Sequence, residues 1–358
     1  MNLIRPPEAT MIPDKTDLQL QEIAALLTNG TVLYGHPGIN GMSGAAIFLF
    51  HYARYSGQEY YTGLAKKMVD PLNMLTERVA AIGYGDGLAG FGSAMLYLSG
   101  KGLIAPYTAG QLSELDRYIY HNVHRNGIPL LNALTGKTGA GKYFIARLKE
   151  EPCLTSGSRE FLLQVLSGII DTLNPPYASY SEIIHAIDIL AYACSVNRED
   201  PKAKDYLNYC LDKLETMRYE DRHFRNRFQV FDHLKFSLAL VTASELSGDP
   251  VYAGAAREML TEDPVYNAYL TGKENVFDNL STDRLFLYAL LAYRTNDEQL
   301  QREIGGPLAA CSLLPDGVLQ GPDTHYGLIN GVAGPGMCLL AGKGVLNKNW
   351  LDLIPIVY

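Results

Sequence analysis

Long hydrophobic runs are missing from this chain of 358 residues. No stretch approaches the roughly 18 apolar residues that a membrane helix needs, and Met1 to Lys15 lack the apolar centre of a signal peptide. Cysteine is scarce. The five, Cys153, Cys194, Cys210, Cys311 and Cys338, form no C-x-x-C pair, and an odd number without a framework reads as free thiols in a reducing compartment. Positive charge is also short. A formal net charge of −8 and a pI near 5.5 exclude the basic face that nucleic acid requires. The expectation is a cytoplasmic protein with no membrane span and no nucleic-acid partner. Strand-type alternation is almost absent, and no compositional shift marks a domain boundary. The expected organisation is therefore one domain over residues 1–358, with residues 1–16 as an N-terminal arm.

What is present is glycine in a repeated place. GINGMSG, Gly38 to Gly44, leads into AAIFLF. GDGLAG, Gly85 to Gly90, leads into FGSAMLYL. GLINGVAG, Gly327 to Gly334, leads into the apolar Met337 to Leu340. Between them the chain alternates apolar segments of helical length with amphipathic ones. Apolar helices are expected to open near residues 41, 87, 136, 181, 232, 279 and 329, at spacings of 45 to 51 residues. Seven evenly spaced units of two helices predict an all-α fold, an α/α toroid of about seven helix pairs. An irregular bundle with chance glycines is the alternative, but the spacing holds along the whole chain. Without a Cβ, a glycine lets an inner helix start tightly against its neighbours. It would also leave free backbone N–H groups at one end of the ring, a weakly electropositive floor suited to a peptide or an anion.

The segments GINGMSGAAIFLFHYARYSGQEYY, GDGLAGFGSAMLYLSG and GLINGVAGPGMCLLAGK resemble the lanthionine synthetase C-like (LanC-like) family, and the repeat pattern matches from about Tyr34 to Gly342. The middle repeats match in spacing alone. The resemblance implies an α/α toroid that matures a ribosomally made peptide. The reaction it implies is addition of a cysteine thiol to a dehydroalanine or dehydrobutyrine, which closes a thioether ring. It also implies a zinc ion that activates the thiol, and a dehydratase-like partner protein.

The chain departs from that pattern at the metal. The family places a cysteine in the sixth-repeat turn and Cys-His-Gly in the last. Here those positions read Asn279, Leu280, Ser281 and Ile329, Asn330, Gly331. Aliphatic side chains bind no metal, and an amide is a poor zinc ligand beside thiolate or imidazole. The expectation is a zinc-independent protein without a cofactor, either a divergent cyclase or a subunit that presents the peptide to a partner. His233, in Asp232-His233-Leu234, stands where the family has its catalytic His-Gly.

The candidate catalytic residues are thus His233, Asp232, Asp283 and His325, since an acid beside a histidine supports general acid–base chemistry. The candidate substrate-binding residues are Asn330, Tyr326, Arg284, Asp278 and Lys142, which a toroid would set around one open end, with Thr138 adding to an anion site. Each has a plainer alternative, as a helix cap, a buried side chain or a solvated loop residue. GKTGAGKY, Gly136 to Tyr143, imitates a phosphate-binding loop. It carries Tyr143 where a hydroxyl should hold magnesium, and no strand precedes it. Arg218, Arg222, Arg225 and Arg227 could grip an acidic peptide, or simply form a surface loop. His36 and His51 could face the cavity without any paired ligand motif. The 24 tyrosines suit either a peptide-lined cavity or helix seams. Asp232, Asp278 and Asp283 also keep open a carbohydrate-active hydrolase or lyase on the same toroid, and a non-catalytic scaffold stands as a third reading.

Overall fold

The computed structural model describes residues 14–28, 35–70, 81–106, 109–123, 132, 134–149, 156–172, 180–196, 201–224, 232–310, 326–329 and 331–355. Among these residues there are helices and turns and no strand. The helices are α1 (Lys15–Leu27), α2 (Met42–Ser56), α3 (Glu59–Met68), α4 (Leu88–Gly100), α5 (Ala109–Val123), α6 (Lys137–Lys149), α7 (Ser156–Thr172) and α8 (Tyr180–Val196). They continue as α9 (Pro201–Phe224), α10 (His233–Ser247), α11 (Pro250–Glu262), α12 (Pro264–Leu270), α13 (Thr282–Thr295), α14 (Glu298–Ala310) and α15 (Ala333–Gly342), followed by a short 3₁₀ turn, Lys348–Leu353.

Seven of these, α2, α4, α6, α8, α10, α13 and α15, form an inner ring. Each packs on the next, and α15 packs back on α2. An outer helix backs each one: α3, α5, α7, α9, α11 and α14 in chain order, and for α15 the first helix of the chain, α1. Burial separates the two layers. In α2 every residue from Met42 to Ala53 is buried, as a helix with neighbours on all sides requires. In its outer mate α3 only Ala65 and Met68 are buried.

Local chemistry fixes the helix ends. Asp14 and Asp17 make a reciprocal capping box on α1. Asp249 and Asp263 cap α11 and α12, each followed by a proline in the first turn. Gly57 and Gly248 stop α2 and α10 in the left-handed region, at φ 70° and 74°. Residues 14–16, expected in an arm, belong to α1 and its cap, while residues 1–13 lie outside the described residues. The third inner helix, expected to open near residue 136, begins at Lys137, so Gly139 and Gly141 of GKTGAGKY lie inside it. The amphipathic helix after α2 ends at Met68, with Val69 as its cap, and residues 71–80 lie outside the described residues.

The glycine turns lock to one another at one end of the ring. Leu328 N–H donates to Ile39 O (3.0 Å), Ile39 N–H to Tyr84 O (3.1 Å), Asn40 N–H to Gly85 O (2.7 Å), and Gly85 N–H to Leu134 O (2.8 Å). This stitches the seventh repeat to the first, second and third. The approach needs glycine: a Cβ on Gly327 would lie 2.1 Å from the Asn40 Cα. The expected floor of free N–H groups is therefore corrected at these turns, where neighbouring carbonyls take the donors.

At the opposite end the C-terminal segment enters the middle of the ring. Trp350, Leu351, Leu353 and Ile354 are buried. Side chains of the ring hold its main chain: Tyr84 Oη donates to Leu353 O (3.0 Å), Lys142 Nζ to Ile354 O (3.3 Å) and Arg294 Nη2 to Leu351 O (3.0 Å).

Candidate functional site

Outer helices run opposite to inner ones, so the ends of α9 and α11 lie beside the starts of α10 and α13 at the glycine end. There the fold gathers charged side chains from four helices. Arg218, on α9, donates to Glu262, on α11, through Nη2 (2.6 Å) and Nε (3.3 Å), and it lies 3.5 Å from Glu258. The same Glu262 carboxylate faces His233, the first residue of α10, with Nδ1 at 3.6 Å from Oε2. The His233 side chain keeps 25% of its surface exposed, so it sits at the mouth rather than in the core. Asp232 caps α10 by accepting from Lys235 N–H at 3.2 Å, with Lys235 Nζ 3.9 Å from its carboxylate.

One residue beyond Glu262, Asp263 is buried and takes Arg284 Nη2, the Tyr288 hydroxyl and the N–H groups of Val265 and Tyr266 (both 3.0 Å). Burial first, and the bond to Asp263 second, hold the Tyr288 phenol well above its ordinary pKa, so it stays a hydrogen donor. His185 on α8 is buried, and burial pushes it down to about 4, with Lys235 acting in the same direction and Asp188 and Glu182 against it. A carboxylate beside a half-buried histidine is an arrangement that general acid–base chemistry can use.

The fold thus brings His233, Asp232 and Arg284 to one place. Asp278 and Asp283 are exposed, the first in the loop before α13 and the second in its first turn. Tyr326 is half-buried against the core. His325 and Asn330 lie outside the described residues, as do Arg225 and Arg227. Lys142 requires a correction. Expected at the rim, it is buried on α6, with Nζ 3.2 Å from Asp188 and 4.4 Å from the Tyr192 ring. Thr138 is buried too. Arg218 is corrected from loop to helix, where it serves Glu262. His51 is buried on α2, with Nε2 2.8 Å from the Tyr97 hydroxyl. Tyrosines also fill seams: Tyr143 is buried and donates to Asp116 at 2.6 Å. Sequence reasoning missed Glu262 and Asp263. The Asp-Pro pair marks Asp263 as a cap, but nothing in the sequence pairs Glu262 with His233, a contact made across two helices.

The residues where the family resemblance places zinc ligands do not fit that metal. Ile329 is 2% exposed in the core, Leu280 is half-buried against it, and Asn279 is an exposed amide. Among the described residues no group of three or more His, Cys, Asp or Glu is placed to hold a metal ion, and no helix is long and apolar enough to cross a membrane.

No protein-family model and no curated protein matches the chain. Among solved structures it is similar to a chain titled nisin cyclase, with a TM-score of 0.61 over 94% of this chain and 96% of that one, at 14% sequence identity. The likeness is one of fold: the closed toroid of paired helices.

Proposed function

We propose that this protein acts in the maturation of a ribosomally made peptide, and that it does so without zinc. The observation that carries this reading is His233 seated against Glu262 at the mouth of a toroid similar to that of nisin cyclase. Thioether closure needs two proton movements. The cysteine thiol loses its proton as sulfur bonds to Cβ of the dehydro residue, and the electron pair of the broken Cα=Cβ π bond takes a proton at Cα. His233 accepts the first proton and returns it in the second step. The Glu262 carboxylate stabilises the imidazolium between the two. A thiol at about 8.5 and an imidazole near 6.5 differ by roughly 3 kcal/mol, a modest climb that a neighbouring carboxylate reduces. Arg284 and the exposed Asp278 and Asp283 line the approach for a peptide, and the closed opposite end makes the glycine end its entrance. No step passes through a metal, because Leu280 and Ile329 supply no donor.

The test uses the purified chain and a dehydrated precursor peptide bearing free cysteines. Ring closure leaves peptide mass unchanged but removes thiols from alkylation, so mass spectrometry after alkylation reads it directly. Loss of alkylation with the wild-type chain, and retention of thiols with His233→Gln, is the expected result. Peptide binding with no ring formation assigns the chain to presenting the peptide rather than closing it. No binding and no closure would overturn the reading, as would one tightly held zinc per chain in elemental analysis.

A further inference from the structure

At the far end of the ring from His233 lies a cavity of about 280 Å³. One stripe of α4 (Ser93, Tyr97, Lys101) and one of α6 (Lys142, Lys149) form its walls, and Asp352 of the C-terminal segment closes it. Ser93, Tyr97 and the cap residue Lys101 are four apart and Lys142 and Lys149 are seven apart, so each helix turns a single face to the cavity. Three ammonium groups and two hydroxyls therefore meet one carboxylate.

The charges around it do not balance. Asp188 takes Lys142, Asp352 takes Lys149 (3.1 Å) with Arg294 at 3.9 Å, and Glu245 takes Arg294 (3.0 Å) and Lys348 (2.8 Å). Lys101 meets an amide, Asn347 Oδ1 at 3.1 Å, and the Tyr97 ring. Among the described residues five cations thus surround three carboxylates, in a chain whose net charge is −8. The C-termini of α4 and α6, where Lys101 and Lys149 sit, each supply about half a negative charge. About one positive charge is left over. Burial lowers the Lys142 pKa despite Asp188, so the partner present does not fully offset desolvation.

We infer that this cavity binds a compact oxyanion, a carboxylate or phosphate group, held by the ammonium groups of Lys101, Lys142 and Lys149. Its volume lies just below the usual range for organic ligands and suits a small acid rather than a nucleotide or a peptide. The site stands at the opposite end from the proposed peptide entrance and does not depend on that reading.

Titration calorimetry and thermal melts of the whole chain test it, with inorganic phosphate and malonate as probes against sodium chloride at equal ionic strength. Either probe should bind and raise Tm above the chloride control through preferential binding to the folded state. Phosphate alone or malonate alone identifies the group recognised. Lys101→Gln with Lys149→Gln should weaken binding at least tenfold while leaving the helical circular dichroism unchanged. If the double variant fails to fold, Lys101→Gln alone carries the test, because its side chain is held only by an amide and a ring. The same Tm in chloride as in either oxyanion, or undiminished binding by the folded variants, would overturn the assignment.

Discussion

Gly327 lies against Asn40 so closely that one added carbon would fall 2.1 Å from the Asn40 Cα and 2.3 Å from its carbonyl carbon. This is where the seventh repeat meets the first. The obstacle is backbone, which cannot rotate aside. Gly327→Ala should therefore destabilise the fold by about 3 kcal/mol, the upper end for overpacking, read as a lower urea midpoint. Gly254, exposed in α11 with nothing near its missing Cβ, gives the opposite sign. Gly254→Ala should stabilise by up to about 1 kcal/mol through helix propensity alone.

His233 and Glu262 should act as a pair in ring closure. His233→Gln is expected to slow thiol consumption by roughly 10² to 10⁴. Glu262→Gln should slow it less while shifting its pH profile to lower pH, because a histidine that loses a neighbouring carboxylate deprotonates at lower pH. Rates measured from pH 5 to 9 distinguish this from a purely structural effect of losing the Arg218 bond.

Lys142 and Asp188 are 4% and 2% exposed. Lys142→Met takes the ammonium away from a buried carboxylate and should cost about 3 to 5 kcal/mol. Lys142→Met combined with Asp188→Leu should recover most of that loss, since no unpaired charge remains. Denaturant midpoints of the two variants and the wild type decide the matter.

Acid should unfold the protein earlier than its carboxylates alone would dictate. His51 is pushed down to about 4, by burial first and by Arg54 and Lys101 after it, and His185 to about 4, by burial first. Both stay neutral in the fold and charge freely once it opens at an ordinary value of 6.5. Between those values the unfolded chain binds more protons. The stabilisation is complete above pH 6.5 and fades as pH falls towards 4, by roughly 3 kcal/mol for each histidine. His51→Gln should flatten the fall in Tm between pH 6.5 and 4.5.

The ring was legible in the sequence because its cause is periodic. The inner helices are mostly apolar and open at places that recur every 45 to 51 residues, so GINGMSG, GDGLAG and GLINGVAG announce both the helices and their common end. Asp232 was readable as a cap because capping acts within three residues. Lys142 was misplaced because a lysine in a glycine-rich turn looks solvated. Only the fold shows that α6 has already begun and that Asp188, one repeat later, waits for it. Glu262 carried no signal, since a contact between the end of one helix and the start of another leaves no periodic trace. The insertion of the C-terminal segment left no signal either, since it depends on carbonyl acceptors that every residue owns.

The backing of α15 by α1 has a consequence for synthesis. The first helix leaves the ribosome with Leu20, Ile23, Ala24 and Leu27, all fully buried in the finished fold, and its lasting mate is the last inner helix to be made. Part of that stripe can settle on α2 as soon as it is made, but the rest must wait for some 300 residues of translation before the circle can shut.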